Sequence, residues 1–414
     1  MGLEAALRAR HEGHEVVVFE AGSVGEHFRR YGSVPLFTPF RMNGTELGHE
    51  RLLAAGVKLP GDDETLPADE LRTRYLLPLS RLPELSGSVH EGARVAAIAR
   101  EGFTKGRSAG PGDTSRAERP FLLRIETSAG RGRIESRLER ADVVIDASGV
   151  YATSNATGPG GLPAAGEESL GDRLDRHLPD LKGEALKRYA GRRILLVGDG
   201  RSAANVIADF DDVVRAGGEG ARTTVEWVHR ERGGRVFAPI PAAELEQLPV
   251  LRALDQRVNR IARSAPWIRK HAGAAVTAYR LLGSGAIEVL STDPRGGETR
   301  LVVDRVLALV GYRPDLSLFR ELQIHLCYAS EGPMALAAAI LAAQAKDPES
   351  AQGCLGQVSH GPDTLKSPEP NFYVLGAKSY GRNPNFLLTL GHQQIEDVMT
   401  LLGASRPRLN LASG

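Results

Sequence analysis

Cysteine is almost absent: the 414 residues contain only Cys327 and Cys354. Two thiols so far apart exclude both a disulfide framework and a Cys-x-x-Cys redox motif. An excess of charge of one sign is also lacking. With 52 basic and 51 acidic side chains the formal net charge is +1, which gives no reason to expect a nucleic-acid or anionic-membrane partner. Long hydrophobic runs are missing too. The longest, Met334 to Ala343, is too short to span a bilayer, and no signal peptide is recognisable ahead of the first helical pattern. The expectation is a cytoplasmic protein with no membrane partner. Histidines are scattered without metal-ligand spacing, and no Ser-His-Asp order can be read from spacing alone. What remains is ordinary for a globular enzyme, at 42% hydrophobic and 25% charged residues. The length asks for two or three domains.

The most informative stretch is Arg192 to Phe210, RRILLVGDGRSAANVIADF. Ile194 to Val197 is a short apolar run of the buried parallel-strand kind. It stops at Gly198-Asp199-Gly200-Arg201-Ser202-Ala203, and a helical pattern follows. In a strand-turn-helix unit of this kind Gly198 allows the sharp turn. Gly200 keeps a side chain away from a pyrophosphate, and Ala203 lets the helix pack close to the strand. The helix N-terminus would present free N–H groups to the phosphates. The next strand, Thr223 to Val228, runs into His229, Arg230, Glu231 and Arg232. His229 and Arg230 stand where an acid would meet the ribose of NADH, so the expected cofactor is NADPH, with Arg230 on its 2′-phosphate. Glu231, one residue on, is the feature that argues the other way.

The N-terminal residues resemble the second half of another such unit. Leu3 to Arg10 is helical in period, Gly13 ends the helix, and Glu15 to Glu20 is a strand closing on an acid placed for a ribose hydroxyl. If Gly2 is the third glycine of G-x-G-x-x-G, the first strand and the first two glycines fall before Met1. The expectation is therefore that Met1 is a start placed inside the motif, and that in-frame DNA upstream encodes apolar residues followed by Gly-x-Gly and one more residue.

Ser23 to Asn43 is a long irregular stretch of the functional kind. A helix is expected from Leu66 to about Leu82, with strands at Val89 to Ile98, Pro120 to Thr127 and Ile134 to Glu139 forming a small antiparallel sheet. Gly102 to Arg119 reads as a mobile hairpin tip. Ala141 to Gly149 is a buried strand, and Thr153 to Gly166 a linker. Ala242 to His271 reads as a helical insertion with a basic face. Val302 to Gly311 is read as a strand returning the chain to the first domain. The expected domains are thus 1–160 and 301–414 for one nucleotide, enclosing 161–300 for the other.

A ribose acid at Glu20, a crossing strand ending Ala147-Ser148-Gly149, the inserted unit, the strand ending at Gly311 and a terminal strand Phe372 to Gly376 together resemble the flavoprotein pyridine-nucleotide oxidoreductases. The chain looks closest to their flavin-containing monooxygenase and thioredoxin-reductase-like branch. It is similar to bacterial FAD-dependent oxidoreductases with segments like Phe37-Thr38-Pro39-Phe40-Arg41-Met42-Asn43 and Gly376-Ala377-Lys378-Ser379-Tyr380-Gly381-Arg382. The resemblance implies an α/β fold of two Rossmann-like domains with the NAD(P) domain inserted in the FAD domain, a small β-meander, and a missing N-terminal strand. It also implies FAD on the first domain and hydride transfer from NADPH to the flavin. The cofactor-binding residues expected are Gly2, Glu20, Gly149, Gly198, Gly200, Ala203, Arg230, Gly376 and Lys378. Lys378 or Arg382 would supply a cation near flavin N1. Tyr380, Asn383, Asn385, Gly391 and His392 follow in the same region.

The chain also departs from the family. Ala377 stands where an Asp usually holds the ribityl chain, the Phe-x-Gly-x-x-x-His segment of flavin-containing monooxygenases is not matched, and the redox cysteine pair is absent. The partner expected is a small-molecule substrate or electron acceptor, with oxygen, a quinone or an organic substrate all open and a monooxygenase among the outcomes. The alternative is a nucleotide-binding protein without catalysis that has lost tight FAD binding.

Overall fold

The computed structural model describes residues 1–107, 114–130, 132–230, 248–346 and 359–405. The readings of Glu231, Arg232, residues 242–247 and Cys354 lie outside the described residues. The chain forms two units, one of Met1–Arg29, Thr38–Thr153 and Arg313–Gly414, the other of Arg30–Phe37 and Ser154–Tyr312.

In the first unit, helix α1 (Gly2–His11) buries Ala5, Ala6, Leu7 and Ala9. It stops at Gly13, whose φ of +82° suits a glycine at a helix end. The strand expected over 15–20 is only β1 (Val18–Phe19), paired parallel with β2 (Val89–His90). The run 89–98 does not form one strand, because Gly92 turns the chain at a φ of +64°. Its second part is β3 (Ala93–Arg100), which forms an antiparallel meander with β4 (Phe121–Ser128) and β5 (Ile134–Ala141). A separate parallel pair follows, β6 (Val144–Asp146) with β15 (Phe372–Val374).

The meander and that pair share a core of Ile98, Phe121, Ile125, Phe319, Phe372 and Val374. A second core joins Ala5 and Ala9 of α1 with the helices Met334–Lys346 and Leu388–Ser405 through Leu336, Ile340, Ile395 and Val398.

The C-terminal flank of the 102–119 hairpin, residues 114–119, is anchored, while residues 108–113, where the mobile tip is expected, lie outside the described residues. Arg116 is buried and donates to Glu369, which also accepts from buried Arg100 at 3.0 Å. Arg100 further donates to the Arg119 carbonyl at 2.7 Å and lies 3.5 Å above the Phe121 ring centroid. The counter-ion comes from residue 369, so nothing local in sequence shows the anchor.

The second unit is built on a parallel sheet with strand order β10-β9-β8-β14-β7, where β7 is Leu174–Asp175, β8 Arg193–Val197, β9 Thr224–His229, β10 Ile268–Ala272 and β14 Arg305–Ala308. β8 is buried on both faces, as its apolar run requires. Ile194 and Leu196 point into a core with Phe210 and Trp227, and Leu195 and Val197 into one with Val276 and Ile287. An antiparallel sheet of β11 (Ala275–Leu281), β12 (Ile287–Thr292) and β13 (Glu298–Val303) completes the unit.

Two expectations are corrected here. The stretch 242–271 is not all helix: Pro249–Ser264 is helical, but Ile268–Ala272 is an edge strand beside β9. Val302 to Gly311 does not return to the first unit. Asp304 breaks it into β13 and β14 by accepting from the Arg193 backbone and guanidinium, both at 2.8 Å, and β14 then runs parallel beside β8.

Candidate nucleotide sites

Open parallel sheets bind ligands beyond the C-terminal ends of their strands. In the second unit that place is the loop from β8 into the helix Arg201–Arg215. Gly198 has a φ of +125°, and a Cβ there would lie 2.2 Å from the Leu309 carbonyl oxygen. It is therefore glycine because the neighbouring chain passes against it, as well as for the turn. Gly200 has ordinary backbone angles, and among the described residues nothing lies within 4 Å of where a Cβ would be, so none of them covers its backbone. Ala203 is fully buried against the sheet. The helix is long enough for its free N–H groups and dipole to favour an anion at this end. This cradle fits a pyrophosphate.

Arg230, just past β9, reaches the same loop. Its guanidinium donates to Asp199 at 2.8 and 3.1 Å, and this hydrogen bond raises the Arg230 pKa. The Asp199 side chain is only 5% exposed and that of Arg230 76% exposed, so the arginine closes over the carboxylate from the solvent side. His229 is not its companion. It is buried, with Nδ1 2.9 Å from the Arg230 carbonyl and its ring against Trp227. Trp227 Nε1 donates to the Gly198 carbonyl at 2.8 Å, tying β9 to the glycine turn. A groove of about 460 Å³ beside Leu186, Asp209 and Val213 lies toward the other end of the same helix and belongs to neither loop nor strand ends.

In the first unit the expected residues gather at strand ends. Glu20 follows β1, and its carboxylate accepts from the Gly22 N–H at 2.8 Å. Burial raises its pKa. Gly2 opens α1 against Ala147, but a Cβ there would meet Ala147 Cβ at 3.8 Å, an ordinary contact. Close packing therefore does not require glycine at this position. Gly149 and Gly376 do require it, with φ of +71° and +72° in the turns after β6 and β15. His27 lies under the Gly149 turn, 3.5 Å from where its Cβ would be.

Lys378 is not an exposed loop charge. It is 1% exposed, and its ammonium donates to Asp146 at 2.6 Å and to Ser148 at 3.0 Å, with the Phe319 ring centroid 5.2 Å away. Its charge is thus neutralised inside the unit, joining the ends of β6 and β15. Arg382 lies 4.0 Å from Glu331.

Asp146, Ser379 and Gln394 are residues that sequence reasoning missed. Gln394 accepts from the Gly376 N–H and donates to Ser379, both at 2.9 Å, and Ser379 donates to the Gly376 carbonyl at 2.8 Å. The segment 376–382 carries part of the signal, but its partners Asp146 and Gln394 lie on other elements. Glu4 is a further missed residue. It is buried in α1 and accepts from Tyr75 at 2.5 Å and Thr45 at 2.7 Å. Burial pushes the nearby His392 imidazole down to about 4. Among the described residues there is no cluster suited to a metal ion, and no helix is long and apolar enough to cross a membrane.

No family model and no curated protein matches the sequence, but solved structures match the fold. The bacillithiol disulfide reductase Bdr (YpdA) of Bacillus cereus has a TM-score of 0.65 at 15% identity, over 98% of this chain and 95% of its own. The FAD-bound cadaverine monooxygenase DfoA of Erwinia amylovora gives 0.61 at 13%, over 97% and 92%. The ornithine N-hydroxylase KtzI of Kutzneria sp. 744, solved with reduced FAD and NADP⁺, gives 0.59 at 15%, over 98% and 97%. This chain therefore has the fold of the two-domain flavoprotein oxidoreductases, with Rossmann-like sheets and a β-meander.

Proposed function

We propose that the protein is an NADPH-dependent flavoprotein oxidoreductase, holding FAD on the first unit and NADPH on the second and reducing a small-molecule acceptor. The observation that carries this reading is the backbone cradle at Gly200 on the N-terminus of the helix Arg201–Arg215, with Arg230 closing over the same loop. A flavin, when bound, supplies the redox chemistry by accepting hydride from the nicotinamide.

The chain supplies binding and orientation. The N–H groups at the helix start receive the pyrophosphate. Arg230, strongly exposed and sharing its charge with Asp199, is placed to turn one face of its guanidinium to a 2′-phosphate. On the first unit Glu20 is the ribose acceptor, and the Gly149 and Gly376 turns bring bare backbone to the flavin side. The buried Lys378–Asp146 pair fixes the distance between those two turns. The fold shared with Bdr, DfoA and KtzI supports the two-nucleotide reading.

The test is anaerobic mixing of NADPH with the FAD-loaded protein. Loss of the oxidised flavin absorbance is expected, and Gly200→Val, which fills the cradle, should abolish it. Unchanged reduction in Gly200→Val would place the nicotinamide nucleotide elsewhere, and a chain that takes up no flavin would leave a nucleotide-binding protein without catalysis.

A further inference from the structure

The meander of the first unit ends on β5, whose outer edge pairs with no other strand among the described residues. The polarity of this strand is inverted for a sheet edge that stays in water. Arg137 lies opposite Ile125 and Glu139 opposite Leu123 on β4, so the charges share the face that one strand inward carries the core. Ile134 and Leu138 lie opposite Ser128 and Arg124 on the outer face, and are 66% and 64% exposed. One-sided antiparallel sheets normally show the reverse pattern.

The edge is also set for a particular register. Ala129 N–H donates to the Arg133 carbonyl across the hairpin, so the backbone polar groups of Arg133 point inward. By alternation those of Ile134, Ser136 and Leu138 point outward. An antiparallel second copy with its two-fold axis at Ser136 would pair Ile134 with Leu138 of the second copy. It would set Glu135 against Arg137 and Arg133 against Glu139, each twice by symmetry. A two-fold axis at Arg137 would instead face Arg137 with itself and Glu135 with Glu139. One at Glu135 would face Glu135 with itself and Arg133 with Arg137. One at Leu138 would leave Ile134 opposite Asp142. Of these registers only the one at Ser136 matches both charge and apolar surface.

We propose that β5 is a homodimer seam. Two copies of this chain join edge to edge, antiparallel about Ser136, into one continuous sheet, with Ile134 and Leu138 of both copies forming an apolar strip across the joint. The present Arg133–Glu135 and Arg137–Glu139 contacts, 2.9 and 2.8 Å and largely exposed, would be shared with the second copy. Edge strands left open are templates for pairing, and here the charges select the partner and the register.

Sedimentation velocity of the full chain across a concentration series tests this, with circular dichroism confirming that each variant folds. A dimer is expected for the unaltered protein. Ser136→Pro removes an outward N–H at the axis, a change that an edge strand tolerates, and should leave a monomer. Glu135→Arg places like charges opposite each other twice and should weaken the dimer about tenfold or more, as expected of directly opposed like charges. Adding Arg137→Glu to Glu135→Arg should restore it. A monomer at all concentrations would overturn the proposal. So would a dimer indifferent to Ser136→Pro, or a double variant no tighter than the single one.

Discussion

Arg230 is the residue on which the choice of nicotinamide cofactor rests, and its environment determines how that choice is tested. Arg230→Ala removes the contact expected with a 2′-phosphate, but it also removes the Arg230 hydrogen bonds to the Asp199 carboxylate, buried at the helix start. Both nucleotides should then bind less well, and the diagnostic is the difference. NADPH should lose roughly tenfold or more relative to NADH, in line with a lost charge-assisted hydrogen bond. Adding Asp199→Ala to that variant should recover part of the common loss and none of the difference. Titration of both nucleotides against both variants measures this, and equal losses would remove Arg230 from the 2′-phosphate. The glycines of the same loop separate on steric grounds. Gly198→Ala would force a Cβ to within 2.2 Å of the Leu309 carbonyl oxygen at a φ of +125°. It should therefore destabilise the protein, by about 2 kcal/mol or more, as strained backbone and overpacking usually cost. Gly200→Ala, with no described residue within 4 Å of the added Cβ, should change thermal stability little and act on nucleotide affinity instead.

At the scale of elements, the legible features were those that one continuous stretch carries. The strand-glycine-helix unit at 192–210 and the second and third meander strands could be read from period and punctuation, while Gly376 as a site residue came with the family resemblance. Features that depend on two distant stretches could not. Lys378 reads as a cation for the flavin until Asp146, on another element, is found beside it, and the anchoring of residues 114–119 depends on Glu369, far along the chain. The return strand was misplaced because an apolar run ending in glycine fits either sheet, and only pairing with β8 decides. The buried pair yields a prediction at this scale. Lys378→Met leaves Asp146 charged, 1% exposed and uncompensated, which should cost about 3–5 kcal/mol. The double variant Lys378→Met/Asp146→Leu should recover much of that stability, yet the turns after β6 and β15 would lose their strut. Denaturant melts with and without added FAD should therefore show restored stability in the double variant but weaker flavin binding. If flavin binding also returned in full, the pair would be structural alone.

For the molecule as a whole, the two units hold titrating groups whose protonation falls in different pH windows. In the first unit His392 is pushed down to about 4 from an ordinary 6.5 by burial, and burial also lowers His49 and His360. The charges facing His392 are Glu4, which opposes the shift, and the Met1 amino group and His49, which reinforce it. A native imidazole that stays neutral while the unfolded one protonates means that the unfolded chain binds more protons between about 6.5 and 4. The His392 contribution to the stability of this unit therefore falls as pH drops through that window, by up to about 1.4 kcal/mol per pH unit. In the second unit the Arg193 hydrogen bond holds Asp304 below its ordinary 3.8, so that contribution is fully present above the ordinary value and is lost only at more acid pH. Acidification from 7 to 5 should thus destabilise the first unit before it reaches the Asp304 window of the second. Differential scanning calorimetry at pH 7, 6 and 5 should show a transition of the first unit moving to lower temperature. In His392→Gln, which cannot titrate, that movement should be smaller. A shift of equal size in the variant would assign the acid sensitivity to other groups, and a transition that does not move above pH 5 would mean that His392 is protonated without cost in the native state.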